Sequence, residues 1–428
     1  MIQSVEKSKG LQGSVMVPPD KSISHRSAMF AAMAEGESII QNYSAAADPQ
    51  TTLKCLSELG VKVQKTENTI RVNGKGRYSF RSPDKPLDCE NSGTTMRLLS
   101  GIVAGAGLDV TLTGDKSLSN RPMHRIIAPL RSMGCDIEAK DNNYAPIHFR
   151  KRNNIRAINF ELPVASAQLK SCILLAGLFG KRDTTVIETV PSRNHTELLL
   201  NLPIKRSGRE TVITSSDKIE IPLQNYTVPG DFSAAAYWLV AGSIIGNSNI
   251  IIPATGLNDS RSAALRILKK MGADIEISDE HVEGREQVGT LHVRTSPLKA
   301  IKIKQKDVPN CIDEIPILAV AMLFAEGTSE IRGARELRYK ECDRLSAIAH
   351  LFHEVGADYE ELEDGLIIHG DQDFIPREST FITWKDHRIA MSAAILGLKS
   401  NGTCHIKDAE CTRISYPGFW DDLTKLMN

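Results

Sequence analysis

Residues 91–107 read NSGTTMRLLSGIVAGAG, and Leu108-Asp109-Val110-Thr111-Leu112-Thr113 follow. A Ser/Thr-rich opening, an arginine one turn in, an apolar run and a closing glycine predict a helix, and the alternation after it predicts a strand. The succession recurs along the chain. Apolar, alanine-rich runs reach glycine at Gly36, Gly107, Gly180, Gly246, Gly327 and Gly402, roughly 65–80 residues apart, as expected of a repeated supersecondary unit. The openings are polar and differ from copy to copy: Lys21-Ser22 with Arg26, Asn91-Ser92-Gly93-Thr94 with Arg97, Ser166-Ala167-Gln168 with Lys170, Gly230-Asp231-Phe232-Ser233, Asp313-Glu314, and Asp386-His387-Arg388. Helix N-termini carry unpaired N–H groups and positive partial charge, so cations gathered there describe anion sites.

A second repeated element lies between these helices. Leu56 to Val61, Leu130 to Ile137, Leu268 to Ile275 and Leu351 to Asp358 each run from a helix end through glycine into a strand, with Ser207-Gly208 a weaker copy. Each unit is therefore expected to hold strand, helix, strand, helix and further strands, too few for an independent domain but suited to sharing a core. The helix near Phe419 to Met427 has no strand after it, and the strand from Gln12 to Val17 has no helix before it. That strand is expected to complete the sixth unit, placing both termini in one domain. The expected division is 21–228 against 1–20 with 229–428, three units each. The plainer alternative is that six apolar helices fill one large core and the period is incidental.

At 428 residues the chain exceeds one ordinary core. Lys plus Arg equals Asp plus Glu at 52 each, which disfavours nucleic acid or a membrane surface as a partner and makes any anion affinity local. The eight cysteines form no CxxC and no ordered set with histidine, so they read as reduced thiols with no metal site. The first residues lack a signal core and no apolar run reaches the ~20 residues of a membrane span, so a cytoplasmic protein is expected.

Within 18–26, PPDKSISHR, the prolines end a strand, Asp20 or Ser22 can cap the helix, and Lys21 and Arg26 bracket its first turn. Gly93 lets a ligand approach backbone N–H groups while Asn91 and Thr94 add polar groups; Arg121, followed by Pro122, adds a cation, and Ser166 and Gln168 add donors. Each segment alone is compatible with an ordinary solvated helix start. Together they favour a phosphate or carboxylate site. In the other half, Asp313-Glu314 opens an apolar helix where a carboxyl pKa can rise, although Asp313 also fits a plain N-cap. Lys340, Glu341 and Arg344 gather at a helix or its entry, and Arg388 supplies another cation; the bland alternative is a salt-bridged surface run. His350 and His353 read as a solvated face, not a metal pair. Cations in both halves suggest a cleft between two domains that holds two anions and closes on them. With Asp313 and Glu341 as proton-transfer groups, the pattern points to a transferase joining two small anionic substrates.

At these residues the chain resembles the 5-enolpyruvylshikimate-3-phosphate synthases, a branch of the enolpyruvyl transferase family. The matching segments run from Asp20-Lys21-Ser22-Ile23-Ser24-His25-Arg26 through Asn91 to Arg97, Arg121-Pro122-Met123, Ser166-Ala167-Gln168, Pro191-Ser192-Arg193, Asp313-Glu314-Ile315-Pro316 and Lys340 to Arg344, to Asp386-His387-Arg388. The resemblance implies an α/β fold of two domains, each of three βαβαββ units in an inside-out barrel, with the active site in the cleft. It implies transfer of the enolpyruvyl group of phosphoenolpyruvate to shikimate 3-phosphate by a monomer, with no metal or cofactor. Ser22, Arg26, Ser166, Ala167 through its backbone, Gln168, Ser192 and Asp313 would bind shikimate 3-phosphate. Lys21, Gly93, Arg121, Arg344 and Arg388 would bind phosphoenolpyruvate, and Asn91, Thr94 and Lys340 complete the substrate-binding set. Asp313 would move the hydroxyl proton, with Glu341 and Lys21 serving the enolpyruvyl carbon.

Glu410 stands where many relatives carry a lysine, His195 where some carry tyrosine, and Leu98 where many carry proline. The family is a target of glyphosate. Gly93 resembles sensitive members, whereas Arg193-x-His195-x-Glu197 and Ser166-Ala167-Gln168-x-Lys170 resemble tolerant ones. Two other readings compete. An enolpyruvyl transferase acting on UDP-N-acetylglucosamine would often carry a reactive cysteine between the second and third helices of the first domain, and no cysteine lies between Gly101 and Gly134. A non-catalytic anion-binding repeat scaffold would not place carboxylates among the cations.

Overall fold

The computed structural model describes residues 1–428. The chain forms two compact units. The N-terminal unit is Pro19–Val228 with Glu283–Glu286, and the C-terminal unit is Met1–Pro18 with Pro229–Val282 and Gln287–Asn428. Each has its own apolar core.

Each unit holds three sheets, and five of the six follow one plan: a short strand parallel to a second, which pairs antiparallel with a fourth, with the third on the outer edge. In the first sheet Tyr226–Thr227 lies parallel to Glu35–Gln41, Thr69–Lys75 pairs antiparallel with it, and Lys62–Thr66 forms the edge. The sheets built on Val110–Thr113, Thr184–Glu188 and Ala325–Ile331 repeat the plan. The sixth sheet departs from it: Thr380–Phe381, Cys404–Lys407 and Ile2–Val5 make three strands, with the single strand Ile2–Val5 where the others have a hairpin.

The strand near Gln12 does not complete this sixth sheet. Gln12–Ser14 pairs parallel with Asn249–Ile251 in the fourth, and Ile2–Val5 closes the sixth. Repeated sheets offer equivalent edges, so local alternation could not choose between them. Ser207-Gly208 is likewise the turn of the hairpin formed by Ile204–Ser207 and Glu210–Ser215; the helix of that unit, His195–Leu199, ends before Asn201 at φ 52°.

The repeated glycines serve two purposes. Gly107 caps its helix in the left-handed conformation at φ 66°. Gly36 and Gly327 instead lie inside the following strands at φ 128° and 99°, while Gly180, Gly246 and Gly402 lie in the connections after the helices. The shorter set matches its expectation better: Gly60, Gly134, Gly272 and Gly356 all follow helix ends at positive φ.

Phe232–Ile244 and Ile315–Leu323 are buried along their whole length, and Lys21–Met33 is buried after its first two residues. Helices apolar on every side must lie inside. The edge strands Lys62–Thr66 and Ile204–Ser207 face water, which leaves helices within and sheets outside. Contact between inner helices is close. A Cβ on Gly101 would stand 2.2 Å from the carbonyl oxygen of Cys172, so only glycine lets Gly93–Ala106 pack against Ala167–Gly177 at this distance.

Candidate active site

In the N-terminal unit three inner helices begin with side-chain caps. Asp20, Ser92 and Ser166 accept from the backbone N–H groups of Ile23, Thr95 and Leu169. The close packing at Gly101 aligns two of these starts: Arg97 donates to Gln168 Oε1 at 2.7 Å, and Gln168 Nε2 donates to Thr94 Oγ1 at 3.0 Å. Arg121 donates to Asn91 Oδ1 at 2.8 Å, and Asn91 donates to Asp115 at 2.7 Å. A Cβ on Gly93 would meet Arg97 Nη1 at 3.2 Å and Arg121 Nη1 at 3.5 Å. Two guanidinium groups therefore flank the helix start at which Gly93 leaves space. Ala167 is the first residue of its helix, where backbone N–H groups have no intrahelical acceptor.

Lys21 pairs with Asp48 at 3.0 Å. Arg26 is buried: its Nε donates to Thr196 Oγ1 at 2.8 Å, Nη1 to the Ser22 carbonyl and Nη2 to Ser171 Oγ, both at 3.0 Å. Burial pulls its pKa down to about 10, against the pull of Glu197, so the guanidinium stays charged at neutral pH. His25, buried beside Lys21 and Arg26, is held well below its ordinary pKa by desolvation and then by those cations. Its Nδ1 meets Thr52 Oγ1 at 2.6 Å, which meets Thr95 Oγ1 at 2.7 Å, and Thr95 meets Ser92 Oγ at 2.7 Å. Neutral hydroxyls thus tie the starts of two helices together. Ser192 is buried and donates to Glu188 at 3.0 Å.

In the C-terminal unit Arg344 organises the carboxylates. It is almost wholly buried, and its Nε donates to Asp386 Oδ2 at 2.8 Å, its Nη2 to Glu341 Oε2 at 2.6 Å, with Nη1 3.5 Å from Asp313 Oδ1. Desolvation alone would lower its pKa; Asp386, Glu341 and Asp313 raise it well above the ordinary value. Asp386 also caps the His387–Gly397 helix through the Arg388 N–H at 2.8 Å. Arg388 Nη1 donates to the Asp313 carbonyl and to Ser233 Oγ, both at 3.0 Å. Asp313 is not the N-cap of Ile315–Leu323; that position falls to Glu314, whose side chain makes no capping bond. Instead, one planar guanidinium spaces Asp313 from Glu341. Lys340 reaches Glu336 at 3.8 Å rather than this cluster.

Several groups lay outside the sequence reading. Asp48, Glu188 and Thr196 complete the contacts of Lys21, Ser192 and Arg26. Arg261 holds buried Glu314 at 2.8 Å and also contacts Ser233. Its sequence signal is an arginine two residues before an apolar helix start. Glu410 is exposed, and its carboxylate meets the Met1 amino group at 2.8 Å. His350 is partly exposed against Trp384, and His353 is exposed.

A family model described as EPSP synthase (3-phosphoshikimate 1-carboxyvinyltransferase) matches residues 5–423. The chain belongs to the EPSP synthase family. A 3-phosphoshikimate 1-carboxyvinyltransferase of Salinibacter ruber is 46% identical over 429 residues, covering 100% of this chain and 99% of the relative. One from Carboxydothermus hydrogenoformans is 45% identical over 422 residues, covering 98% and 97%. The solved structure of an EPSP synthase from Acinetobacter baumannii matches with a TM-score of 0.88 at 36% identity, covering 99% of this chain and 98% of that one. The enolpyruvyl transferase NikO from Streptomyces tendae, at 15% identity, shares the fold with a TM-score of 0.78, covering 99% and 97%. Membership in the EPSP synthase family makes the chain a transferase of the two-domain α/β enolpyruvyl transferase fold. No helix is long and apolar enough to cross a membrane.

Proposed function

We propose that the chain transfers the enolpyruvyl group of phosphoenolpyruvate to the 5-hydroxyl of shikimate 3-phosphate, releasing phosphate. The observation that carries the mechanism is the single buried guanidinium of Arg344 holding Asp313 and Glu341 at separate nitrogens. Such a reaction needs one group to manage a proton at oxygen and another at carbon. Glu341, assisted by Lys21, protonates the methylene carbon of phosphoenolpyruvate, while Asp313 takes the proton of the attacking hydroxyl. The hydroxyl oxygen bonds to the central carbon and forms a tetrahedral intermediate. Loss of a proton from the new methyl group and departure of phosphate then restore the double bond, so the reaction balances without a redox partner.

Lys21, Gly93, Arg121, Arg344 and Arg388 serve phosphoenolpyruvate in this reading. Ser22, Arg26, Ser166, Ala167, Gln168, Ser192 and Asp313 serve shikimate 3-phosphate, with Asn91, Thr94 and Lys340 completing the set. The guanidinium groups flanking Gly93 support an anion there. Equal numbers of acidic and basic residues favour small-molecule substrates over nucleic acid. Two measurements test the proposal. Phosphate should be released from phosphoenolpyruvate only when shikimate 3-phosphate is added, and Asp313→Ala should abolish turnover while calorimetry still registers shikimate 3-phosphate binding. Near-normal turnover in that variant removes Asp313 from the proton-transfer role.

A further inference from the structure

Lys170 sits in the first turns of the Ala167–Gly177 helix with a side chain of 0% exposure. A buried ammonium is costly unless each of its three N–H groups finds an acceptor. Here three acceptors meet it: Glu188 Oε2 at 2.9 Å, Glu197 Oε1 at 2.6 Å and the Ser192 carbonyl at 3.5 Å. They come from the end of the Thr184–Glu188 strand, from the His195–Leu199 helix and from the connection between them. In that connection Thr189, Val190 and Pro191 are exposed and Ser192 alone is buried. Both ends and the one buried residue of the segment therefore converge on a single nitrogen. The Ser192 hydroxyl donates to the same Glu188 oxygen that Lys170 holds. Nearby, Arg26 feels Glu197 as its strongest favourable charge, so two cations balance two carboxylates in the dry interior.

We propose that Lys170 is a positioning residue for shikimate 3-phosphate: its ammonium clamps the 189–194 segment so that Ser192 is presented to the substrate. For its hydroxyl to donate to a phosphoryl oxygen, Ser192 must release Glu188. Lys170 keeps that carboxylate compensated when it does. The inference rests on the assignment of Ser192 to shikimate 3-phosphate binding proposed above.

The test compares Lys170→Met, which keeps stem length and removes charge, with Lys170→Arg, whose planar fork keeps charge but not the three-acceptor geometry. Thermal unfolding establishes which variants are folded, and steady-state phosphate release gives KM for each substrate. The expected result is a KM for shikimate 3-phosphate raised at least tenfold in Lys170→Met and at least threefold in Lys170→Arg. The KM for phosphoenolpyruvate and kcat should stay within threefold. If Lys170→Met does not fold, Lys170→Arg decides by the same ratio. Unchanged KM values, or equal rises for both substrates, in a folded variant would overturn the positioning role. A wild-type protein that neither binds shikimate 3-phosphate in calorimetry nor releases phosphate overturns the functional reading itself, which separates the two failures.

Discussion

Gly93→Ala should separate binding from stability, because the two effects have opposite signs. The backbone at Gly93 is not in the left-handed region, so alanine fits it without strain. Gly93 is the first residue of its helix, and alanine is the better helix former by up to about 1 kcal/mol. The added Cβ, however, would lie 3.2 Å from Arg97 Nη1 and 3.5 Å from Arg121 Nη1. The first contact is a few tenths of an ångström too close, and the methyl group takes the space between the two guanidinium groups. An anion bound there must move outward, or the arginines must give way. Overpacking of this kind costs about 1–3 kcal/mol. At about 1.4 kcal/mol per tenfold, the KM for phosphoenolpyruvate should rise on the order of 5–150-fold. The assay is phosphate release with phosphoenolpyruvate varied at saturating shikimate 3-phosphate, alongside thermal unfolding. The midpoint should hold or rise. A KM for phosphoenolpyruvate within twofold of wild type, or a midpoint lowered by several degrees, would refute the reasoning.

Arg344→Met should lower stability by about 3–5 kcal/mol in urea unfolding at pH 8, because buried Asp386 loses its partner. Adding Asp386→Asn should recover at least half of that loss, and the deficit should shrink as pH falls and the unpaired carboxylates take up protons; a pH-independent loss under 1 kcal/mol contradicts the account. His25 makes a titration prediction: its folded pKa lies below its ordinary 6.5, so the unfolded chain binds the extra proton. Stability should therefore fall as pH drops below about 6.5, by at most about 1.4 kcal/mol per unit for this group, until the folded pKa is reached. His25→Gln should flatten that slope between pH 6.5 and 5; superimposable unfolding profiles for the two proteins exclude the assignment.

The parts of the site that were legible in sequence are those closed by local bonds. Asp20, Ser92 and Ser166 each accept from the backbone N–H three residues on, and chain-local geometry suffices to anticipate them. Arg26 was legible as a cation at a helix start, yet its acceptors Thr196 and Ser171 lie 170 and 145 positions distant. Local reading placed it at the first-turn N–H groups, and packing buried it. The glycines show the same limit. Gly107 obeys helix-capping chemistry, whereas Gly36 recurs at the right interval because a strand follows its helix without a connection.

The amino-acid order by itself determined where the inner helices start, that the unit repeats, and which motifs tie the chain to its family. Those properties depend on residues within a turn or a hairpin of one another. Only the tertiary structure decided which sheet receives Gln12–Ser14, since equivalent ladder edges are distinguished by packing alone. It also decided that Arg344, across 42 positions from Asp386 and 31 from Asp313, became a buried organiser rather than a surface cation. Whether a charged side chain ends in water or in a dry interior is set by what packs around it, and a sequence window contains no such surroundings.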